Sequence, residues 1–276
     1  MVCNRPEFAS LPPTQIVPRL ADCGKYIASE SSFYRVLKAE NQLHHRGRAH
    51  APSRKKPTTH VATGPNQVYS WDITYCPTAV RGLYYYLYMI VDIYSRKIVG
   101  YEVHDRECGG FAAELVEKTV LRENCFLKPL VLHSDNGSPM KSSTLLAKLY
   151  ELGIEPSRGR PRVSNDNPFS ESLFKTMKYG PTWPVNGFDG LSQARDWVQS
   201  FIDWYNTEHR HSAIKFVTPE ERHQQQDSAI LQLRAEVYEK AKASHPGRWS
   251  GSIRDWQPVT SVSLNPDYST SDLEAA

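Results

Sequence analysis

The sequence predicts an α/β domain built around a mixed β-sheet, and three observations support this fold class. Residues 68–76 alternate between two faces, as the residues of a strand do. Residues 83–104 form two long β-rich runs joined by a turn, which indicates a meander of three antiparallel strands. A helical pattern at 111–123, an apolar strand at 129–135 and a second helix at 142–152 follow. When a run of strands is followed by alternating helices and strands, the strands form one sheet and the helices cover it.

Later segments add helices to this pattern. Pro168 is well placed as the first residue of a helix with the sequence PFSESLFKTMKY. In LSQARDWVQSFIDWYN the apolar residues recur at helical spacing, so that helix must bury one face. The sequence TPEE at 218–221 is a capping box with proline at the first helical position, and it predicts a further helix.

The segment before the α/β domain is interpreted as two short helices, QIVPRLAD and ESSFYRVLKAEN. Gly24 ends the first helix and Ser29 caps the second. Two short helices around a turn are typical of a helix-turn-helix, whose second helix enters a groove of DNA. A small helical hairpin without a role in DNA binding has the same pattern. The segment alone leaves both interpretations open.

A basic stretch separates these helices from the α/β domain. Residues 44–60 contain five Arg or Lys residues, four His residues and no acid, although the whole chain carries a net charge of only +3. The stretch is either a solvated connector or an arm that follows DNA phosphates, and the neighbouring helices favour the arm. The basic side chains concerned are Arg46, Arg48, Arg54, Lys55 and Lys56.

The composition argues against several classes of protein. No apolar run approaches the roughly 20 residues of a membrane span, and no signal peptide precedes the polar start MVCNRPEF. The five cysteines are scattered and form no CxxC pair, so we expect neither a disulfide framework nor a zinc site. These features indicate a reduced, cytoplasmic protein that does not act at a membrane.

Three acidic side chains occupy positions that suit a functional site. Asp72 lies on the polar face of the first long strand, and Asp135 follows a buried strand where open α/β sheets place their ligand sites. Glu171 lies on a later helix, on one face with Lys175 and Lys178. Each acid alone has an ordinary explanation, as a strand-surface residue, a turn former or a helix-surface acid paired with Lys175.

Gathered in one cleft, the three acids would form a metal site for phosphodiester chemistry. Magnesium is a hard cation that takes oxygen ligands and is usually held by a few carboxylates together with substrate phosphate. Two such ions about 3.5–4 Å apart can hold the attacking and leaving oxygens of a phosphodiester in line. Carboxylates that share a cleft repel one another without cations, so their clustering would imply a metal.

The acids and the segments around them resemble the Asp–Asp–Glu triad of integrase-type transposases. The motifs are WDIT around Asp72, HSDNG around Asp135 and NPFSESLFKTMK around Glu171, with 35 residues between the second and third acids. DIYSRKIVGYEV is similar to the second and third strands of that class, and WYNTEHRHSAIKFVTPEER is similar to its closing segment. The chain most resembles the second reading frame product of the insertion-sequence-three family, over roughly residues 14–223.

This resemblance implies a ribonuclease H-like core with a mixed five-stranded sheet flanked by helices, an N-terminal helix-turn-helix and a helical C-terminal extension. It implies a DNA transposase that hydrolyses the 3′ end of its element and then joins the freed hydroxyl to another phosphodiester. Asp72, Asp135 and Glu171 would be the catalytic residues and the ligands of two Mg²⁺ ions, with Mn²⁺ as a substitute. The residues that would contact DNA are Lys178, its companion Lys175, and Arg158, Arg160 and Arg162.

The resemblance also implies a domain order and a set of partners. The order is a helix-turn-helix-like DNA-binding segment at 1–43, a basic linker at 44–62, the integrase catalytic core at 63–225 and a helical and disordered tail at 226–276. The partners are the terminal inverted repeats of the element, target DNA, further copies of the chain assembled on DNA, and the product of an upstream reading frame. Such a protein acts in the bacterial cytoplasm, at the nucleoid.

Two other functions stay open. One is a ribonuclease H-like nuclease, against which the late-helix position of Glu171 and the trailing TPEE segment argue. The other is a truncated, catalytically weak DNA-binding remnant, because only about thirteen residues precede the first helix, where family members carry more. Ser212 stands where the family usually has proline, and Ile214 where leucine is common.

Overall fold

The computed structural model describes residues 2–43, 58–160 and 166–266. The described residues fall into two compact units, one within residues 1–56 and the other within residues 57–276. None of the described helices is both long enough and apolar enough to cross a membrane.

The first unit contains two α-helices, α1 (Pro13–Asp22) and α2 (Glu30–Ala39). Gly24 follows α1 with a positive φ of 70°, the left-handed conformation that ends helices and favours glycine. The Ser29 side chain caps α2 by accepting a hydrogen bond from the Ser32 amide, at 3.4 Å. The apolar faces of the helices share a small core with the N-terminal residues: Cys3, Phe8, Ile16, Leu20 and Leu37. Both expected helices are present, and a role for them in DNA binding stays a prediction.

The second unit is organised around a five-stranded mixed sheet. Its strands lie in the order β4-β3-β2-β5-β6, where β2 pairs antiparallel with β3, β3 antiparallel with β4, and β2, β5 and β6 are parallel. A separate pair, β1 and β7, is antiparallel. The strands are β1 (His60–Ala62), β2 (Val68–Pro77), β3 (Tyr84–Asp92), β4 (Ile98–His104), β5 (Leu130–Ser134), β6 (Ile154–Arg158) and β7 (Val262–Leu264).

Helices cover both faces of this sheet, which gives the ribonuclease H-like arrangement. The helices are α3 (Gly109–Arg122), α4 (Ser143–Glu151), α5 (Pro168–Lys178), α6 (Leu191–Thr207), α7 (Pro219–His223) and α8 (Asp227–Ser244). Helices α3 and α4 share one apolar core with the face of β2 that carries Tyr69 and Trp71. Helices α5 and α6 share a second core with the opposite face, which carries Cys76.

Two short strands lie outside the segments in which strands were expected. β1 falls in the expected linker at 44–62, and β7 falls in the expected helical and disordered tail at 226–276. The two strands pair with each other, Val61 opposite Ser263, and bury Ala62, Val262 and Leu264 in a small cluster. Three-residue strands have too little alternation to be recognised from sequence, so only the tertiary pairing reveals them.

The register of β2 against β5 determines which side chains can meet. Ser70 lies opposite His133, so Asp72 and Asp135, each two residues farther along parallel strands, reach the same level. Side chains alternate along a strand, and Ser70 points towards α5, where its Oγ is 2.8 Å from the Oγ of Ser170. Asp72 therefore lies on the face of the sheet that α5 covers.

Candidate active site

Asp72 is a partly buried carboxylate in the middle of β2. One of its oxygens accepts a hydrogen bond from the Ile73 amide, at 2.8 Å. Burial and, after it, the negative charge of Asp135 raise the pKa of Asp72 to about 7, although the hydrogen bond from the Ile73 amide acts in the opposite direction. Glu171 adds a smaller effect of the same sign as Asp135. The charges of Asp135 and Glu171 are therefore close enough to act on Asp72.

Asp135 is displayed at the tip of β5 by a tight turn. Its Oδ1 accepts a hydrogen bond from the Gly137 amide at 2.8 Å, and Asn136 donates to the Gly159 carbonyl at 2.6 Å. A side chain at Gly137 would place a Cβ 3.1 Å from that Asp135 oxygen and 2.7 Å from the Met140 sulfur. The Asn-Gly pair thus turns the chain away and leaves the exposed carboxylate at the end of a buried strand.

Glu171 lies in the first turn of α5, and buried hydrogen bonds tie the start of this helix to β2. The Ser70 hydroxyl donates to the Asn167 side-chain oxygen and also contacts Ser170. The Asn167 amide group donates to the Trp71 carbonyl at 3.2 Å. Because Asn167 immediately precedes α5, these bonds hold the beginning of the helix, and with it Glu171, beside the strand that carries Asp72.

Ser70, Asn167 and Ser170 were not expected to be part of the site. All three are buried and polar. A buried polar side chain has to find a hydrogen-bond partner. A small polar residue on the otherwise apolar, inward face of a helix therefore indicates a buried hydrogen bond at that position. Ser170, between Phe169 and Glu171, carried that signal.

The donor chemistry of the three acids fits magnesium. All of the candidate ligands are carboxylate oxygens, which hard divalent cations prefer. In the described part of the chain, no three His, Cys, Asp or Glu side chains are grouped closely enough to hold a metal ion as they stand. Asp72 and Asp135 each accept a hydrogen bond from a backbone amide in this arrangement. The charges of the three acids act on one another, but the carboxylates do not surround a common ion position as a closed ligand set.

The expected DNA-contacting residues have different surroundings. Lys178, the last residue of α5, is partly buried, and burial lowers its pKa while the negative charge of Asp72 acts in the opposite direction. Lys175 is exposed on the same helix, and Arg158 ends β6. The remaining expected contacts lie outside the described residues: Arg46, Arg48, Arg54, Lys55, Lys56 and Arg162.

Arg160 follows β6 and contacts Asp166, which lies shortly before α5. Its guanidinium pairs with Asp166, with Nη2 2.9 Å from Oδ1, and its backbone amide donates to the other oxygen of the same carboxylate, at 2.6 Å. The Asp166 carbonyl in turn accepts hydrogen bonds from Asn265 at 3.1 Å and contacts His133 Nε2 at 3.0 Å. Asp166, the residue directly before Asn167, is therefore held by contacts with Arg160, His133 and Asn265.

Replacing Asp166 with Asn is expected to make the protein less stable at neutral pH and to have little effect in acid. The hydrogen bond from Arg160 holds the pKa of Asp166 below its usual range, although burial opposes the shift. A lowered folded-state pKa contributes stability that is present above the unfolded pKa of about 3.9 and is lost as the pH falls through the folded value. Urea denaturation of both proteins from pH 7 to pH 3 measures the difference. A difference that does not shrink below about pH 4 would contradict this role.

Comparison with known protein families identifies two matching models. Both are described as an integrase core domain, and they match residues 62–164 and 152–219. Together they span residues 62–219, more than half of the chain, and include all three candidate acids.

Two curated relatives are transposases of insertion sequences. The transposase for insertion sequence element IS904 of Lactococcus lactis subsp. lactis is 31% identical over 170 residues, which cover 58% of this chain and 62% of that protein. The putative transposase InsK for insertion sequence element IS150 of Escherichia coli is 28% identical over 158 residues, which cover 57% and 54%. The matches thus span little more than half of the length of these relatives.

Among solved structures, the chain is similar to the simian T-cell lymphotropic virus intasome in complex with the PP2A regulatory subunit B56 gamma. The sequence identity is 17%, the coverage is 79% of this chain and 72% of that one, and the TM-score is 0.47. The HTLV-2 integrase catalytic core domain in complex with magnesium is also 17% identical, with coverage of 58% and 96% and a TM-score of 0.41.

Proposed function

Since the chain belongs to the integrase core family of insertion-sequence transposases, we propose that it cuts and joins DNA strands. The proposed reaction has two steps. Hydrolysis at the end of the element frees a 3′-hydroxyl, and that hydroxyl then attacks a second phosphodiester. Neither step needs a covalent enzyme intermediate, so no serine or tyrosine nucleophile is required.

The observation that carries this proposal is the convergence of charge at Asp72. Asp135 and Glu171 both raise its pKa, although they lie on a strand tip and a helix far apart in sequence. A carboxylate whose pKa is raised by burial and by two neighbouring acids is typical of a catalytic site. We propose that Asp72, Asp135 and Glu171 hold two Mg²⁺ ions, which Mn²⁺ can replace. When bound, the ions supply activation of the attacking oxygen and stabilisation of the leaving oxygen.

The other residues of the site bind and position the DNA in this proposal. Lys178 lies on the same helix as Glu171, and the charge of Asp72 acts on its ammonium group. Lys178 can therefore hold a phosphate next to the acids. Lys175 and Arg158 would extend this contact. Arg160 contributes by holding Asp166, which lies shortly before α5. Ser70 and Asn167 keep Glu171 at a constant position beside β2.

The proposed partners are the terminal inverted repeats of the element and target DNA. We propose that residues 1–43 bind DNA, that residues 44–62 link them to the core, and that 63–225 form that core, followed by the tail at 226–276. We further propose that copies of the chain assemble on DNA in the bacterial cytoplasm, and that a protein from an upstream reading frame takes part in recognising the ends.

A strand-transfer assay tests the proposal. The purified full chain is mixed with duplexes that carry the inverted repeats flanking its gene, in Mg²⁺, in Mn²⁺ or with a chelator. We expect 3′-end cleavage and joined products with either metal and neither with the chelator. Cleavage without joined products would indicate a nuclease instead. Binding with neither reaction would indicate a DNA-binding remnant.

A further inference from the structure

We propose that His133 is a positioning residue of the candidate active site, which holds the strand that leads to Asp135 against the start of the helix that carries Glu171. The inference rests on the proposed function, because it explains how two of the three proposed metal ligands keep a constant separation. His133 acts through the backbone of Asp166 and does not contact the substrate itself.

His133 is a fully buried polar residue on the face of the sheet that α5 covers. Leu130 and Leu132, on the same strand, pack in the core with α3 and α4. Because side chains alternate along a strand, His133 points to the opposite face, and in the β2–β5 register it lies opposite Ser70, which contacts α5. The ring therefore lies between the sheet and the beginning of α5, two residues before Asp135.

The two ring nitrogens of His133 contact two different segments. Nε2 lies 3.0 Å from the backbone carbonyl oxygen of Asp166, and Nδ1 lies 2.9 Å from the Oγ of Ser157, which is opposite His133 in the β5–β6 register. A carbonyl oxygen only accepts hydrogen bonds, so Nε2 is protonated and donates to Asp166. Ser157 Oγ also lies 2.9 Å from Nε2 of His60, on β1. The ring is therefore fixed on one side by the neighbouring strand and holds the residues before α5 on the other.

The hydrogen bond to Asp166 makes a short connection between two acids that are far apart along the chain. Thirty-five residues separate Asp135 from Glu171. Across the ring, the path has only two residues on one side, from Asp135 back to His133, and five on the other, from Asp166 to Glu171 in the first turn of α5. The position of one acid relative to the other therefore depends on this bond.

The other contacts of the same segment lead to different elements. Asn265 donates to the same carbonyl, at 3.1 Å, but it follows β7. The hydrogen bonds of Asn167 join α5 to β2, and Arg160, which pairs with the Asp166 carboxylate, follows β6. Among the hydrogen bonds of the described residues, that of His133 connects the start of α5 directly to β5.

A small change in the separation of Asp135 and Glu171 would weaken a metal site. Mg²⁺ requires near-ideal octahedral coordination, with oxygen distances of about 2.0–2.1 Å. A misplacement of about 1 Å can cost a factor of about 100 in rate. Substitution of residues that orient metal ligands typically changes metal affinity or activity by about 10–100-fold. We expect an effect of this size when the donor at Nε2 is removed.

Substitution with Asn or Gln separates the two nitrogens of the ring. The Gln amide reaches about as far as Nε2 and can donate to the Asp166 carbonyl, whereas the Asn amide ends near the position of Nδ1. We expect His133→Asn to raise the Mn²⁺ concentration that half-saturates the full chain by about 10–100-fold, and His133→Gln to stay close to the wild type. The electron paramagnetic resonance signal of free Mn²⁺ measures this concentration, after subtraction of the Mn²⁺ that Asp72→Asn still binds. The rates of DNA cleavage and joining should follow the same order, with the KM for DNA unchanged.

Ser157→Ala is the matched control, because it removes the buried partner of Nδ1 and leaves the bond to Asp166 in place. It should lower the melting temperature, since a buried hydrogen bond is lost, and it should bind Mn²⁺ like the wild type. If His133→Asn binds Mn²⁺ as tightly as Ser157→Ala, His133 is structural only and the inference is wrong. Equal losses of Mn²⁺ affinity in His133→Asn and His133→Gln would also overturn it, because the donor at Nε2 would then not be what matters.

A measurement on the wild type covers the case in which His133→Asn does not fold. Nitrogen-15 NMR of the assigned His133 ring should show a proton on Nε2 that exchanges slowly with water. An unprotonated Nε2, or a proton that exchanges as fast as those of the exposed His245, would contradict the bond to Asp166.

The outcome is distinct from a failure of the proposed function. A wild-type protein that binds Mn²⁺ through the acids, loses affinity in His133→Asn and neither cleaves nor joins DNA would contradict the transposase reaction and support the positioning role. A wild-type protein that cleaves and joins DNA, and whose His133→Asn variant matches the Ser157→Ala control in Mn²⁺ affinity and rate, would contradict the positioning role alone.

Discussion

Replacing Glu171 with Gln, or Asp72 with Asn, is expected to slow DNA cleavage and strand transfer by about a thousandfold or more. Each substitution keeps the shape of the side chain and removes its negative charge. A divalent ion stabilises the transition state of phosphoryl transfer by several kcal/mol, and each 1.36 kcal/mol corresponds to a factor of about ten in rate. The measurement is the rate of product formation on labelled DNA ends, with DNA binding measured in parallel. Binding should stay close to that of the wild type, because the basic residues are unchanged.

The control for these variants is Glu239→Gln. Glu239 is exposed on α8, and the substitution makes the same change in charge away from the three acids. This variant should retain the wild-type rate. If Glu171→Gln were as active as Glu239→Gln, the third acid would be assigned wrongly and the triad would have to be completed by another residue.

Thermal unfolding gives a second readout that does not depend on activity. A ligand that binds only the folded protein raises its melting temperature. Mg²⁺ should therefore raise the melting temperature of the wild type and of Glu239→Gln, and it should have a much smaller effect on Asp72→Asn and Glu171→Gln. The acids do not form a closed ligand set in the structure. An equal shift in all four proteins would place the bound ion elsewhere.

The chemistry of the candidate site was predictable from sequence because it demands particular residue types. A carboxylate directly after a buried strand, as at Asp135, has few structural reasons to be there, and Asn136–Gly137 explains how the chain leaves the sheet. The mixed sheet and its order of strands and helices were likewise expected, since alternation and helical spacing are local patterns. The structure confirms the five-stranded mixed sheet flanked by helices.

The supports of the site were not predictable, because they depend on residues brought together from distant segments. The hydrogen bond between Ser70 and Asn167 joins residues 97 positions apart in the chain. Arg160 was expected at DNA phosphates, and no local pattern predicted that its guanidinium pairs with Asp166. Local sequence indicates which side chains are chemically suited to a site, and tertiary packing decides which of them are already engaged.

Replacing Arg222 with Ala is expected to destabilise the protein by about 3–5 kcal/mol, a large part of the roughly 5–15 kcal/mol that stabilises a typical domain. Arg222 is fully buried, and its guanidinium donates to the Tyr94 carbonyl, to the Val259 carbonyl and to Asp227, each at 2.7–2.8 Å. It therefore joins the β3–β4 turn, the start of α8 and the C-terminal segment. Truncation leaves the buried Asp227 carboxylate without its cation, which costs more than the loss of the pair itself. Urea denaturation measures the change.

Two further variants show whether the stability lost in Arg222→Ala comes from the unpaired charge of Asp227. Arg222→Met combined with Asp227→Leu replaces the ion pair by apolar side chains, and it should recover much of the stability that Arg222→Ala loses. Arg210→Ala is the matched control, because Arg210 pairs with Glu221 at 2.9 Å while its side chain is 51% exposed. An exposed pair of this kind contributes at most about 1 kcal/mol. If Arg222→Ala and Arg210→Ala lost the same amount of stability, Arg222 would not be what joins the three segments. If the double variant were no more stable than Arg222→Ala, the hydrogen bonds to the two carbonyls, rather than the charge of Asp227, would hold the segments together.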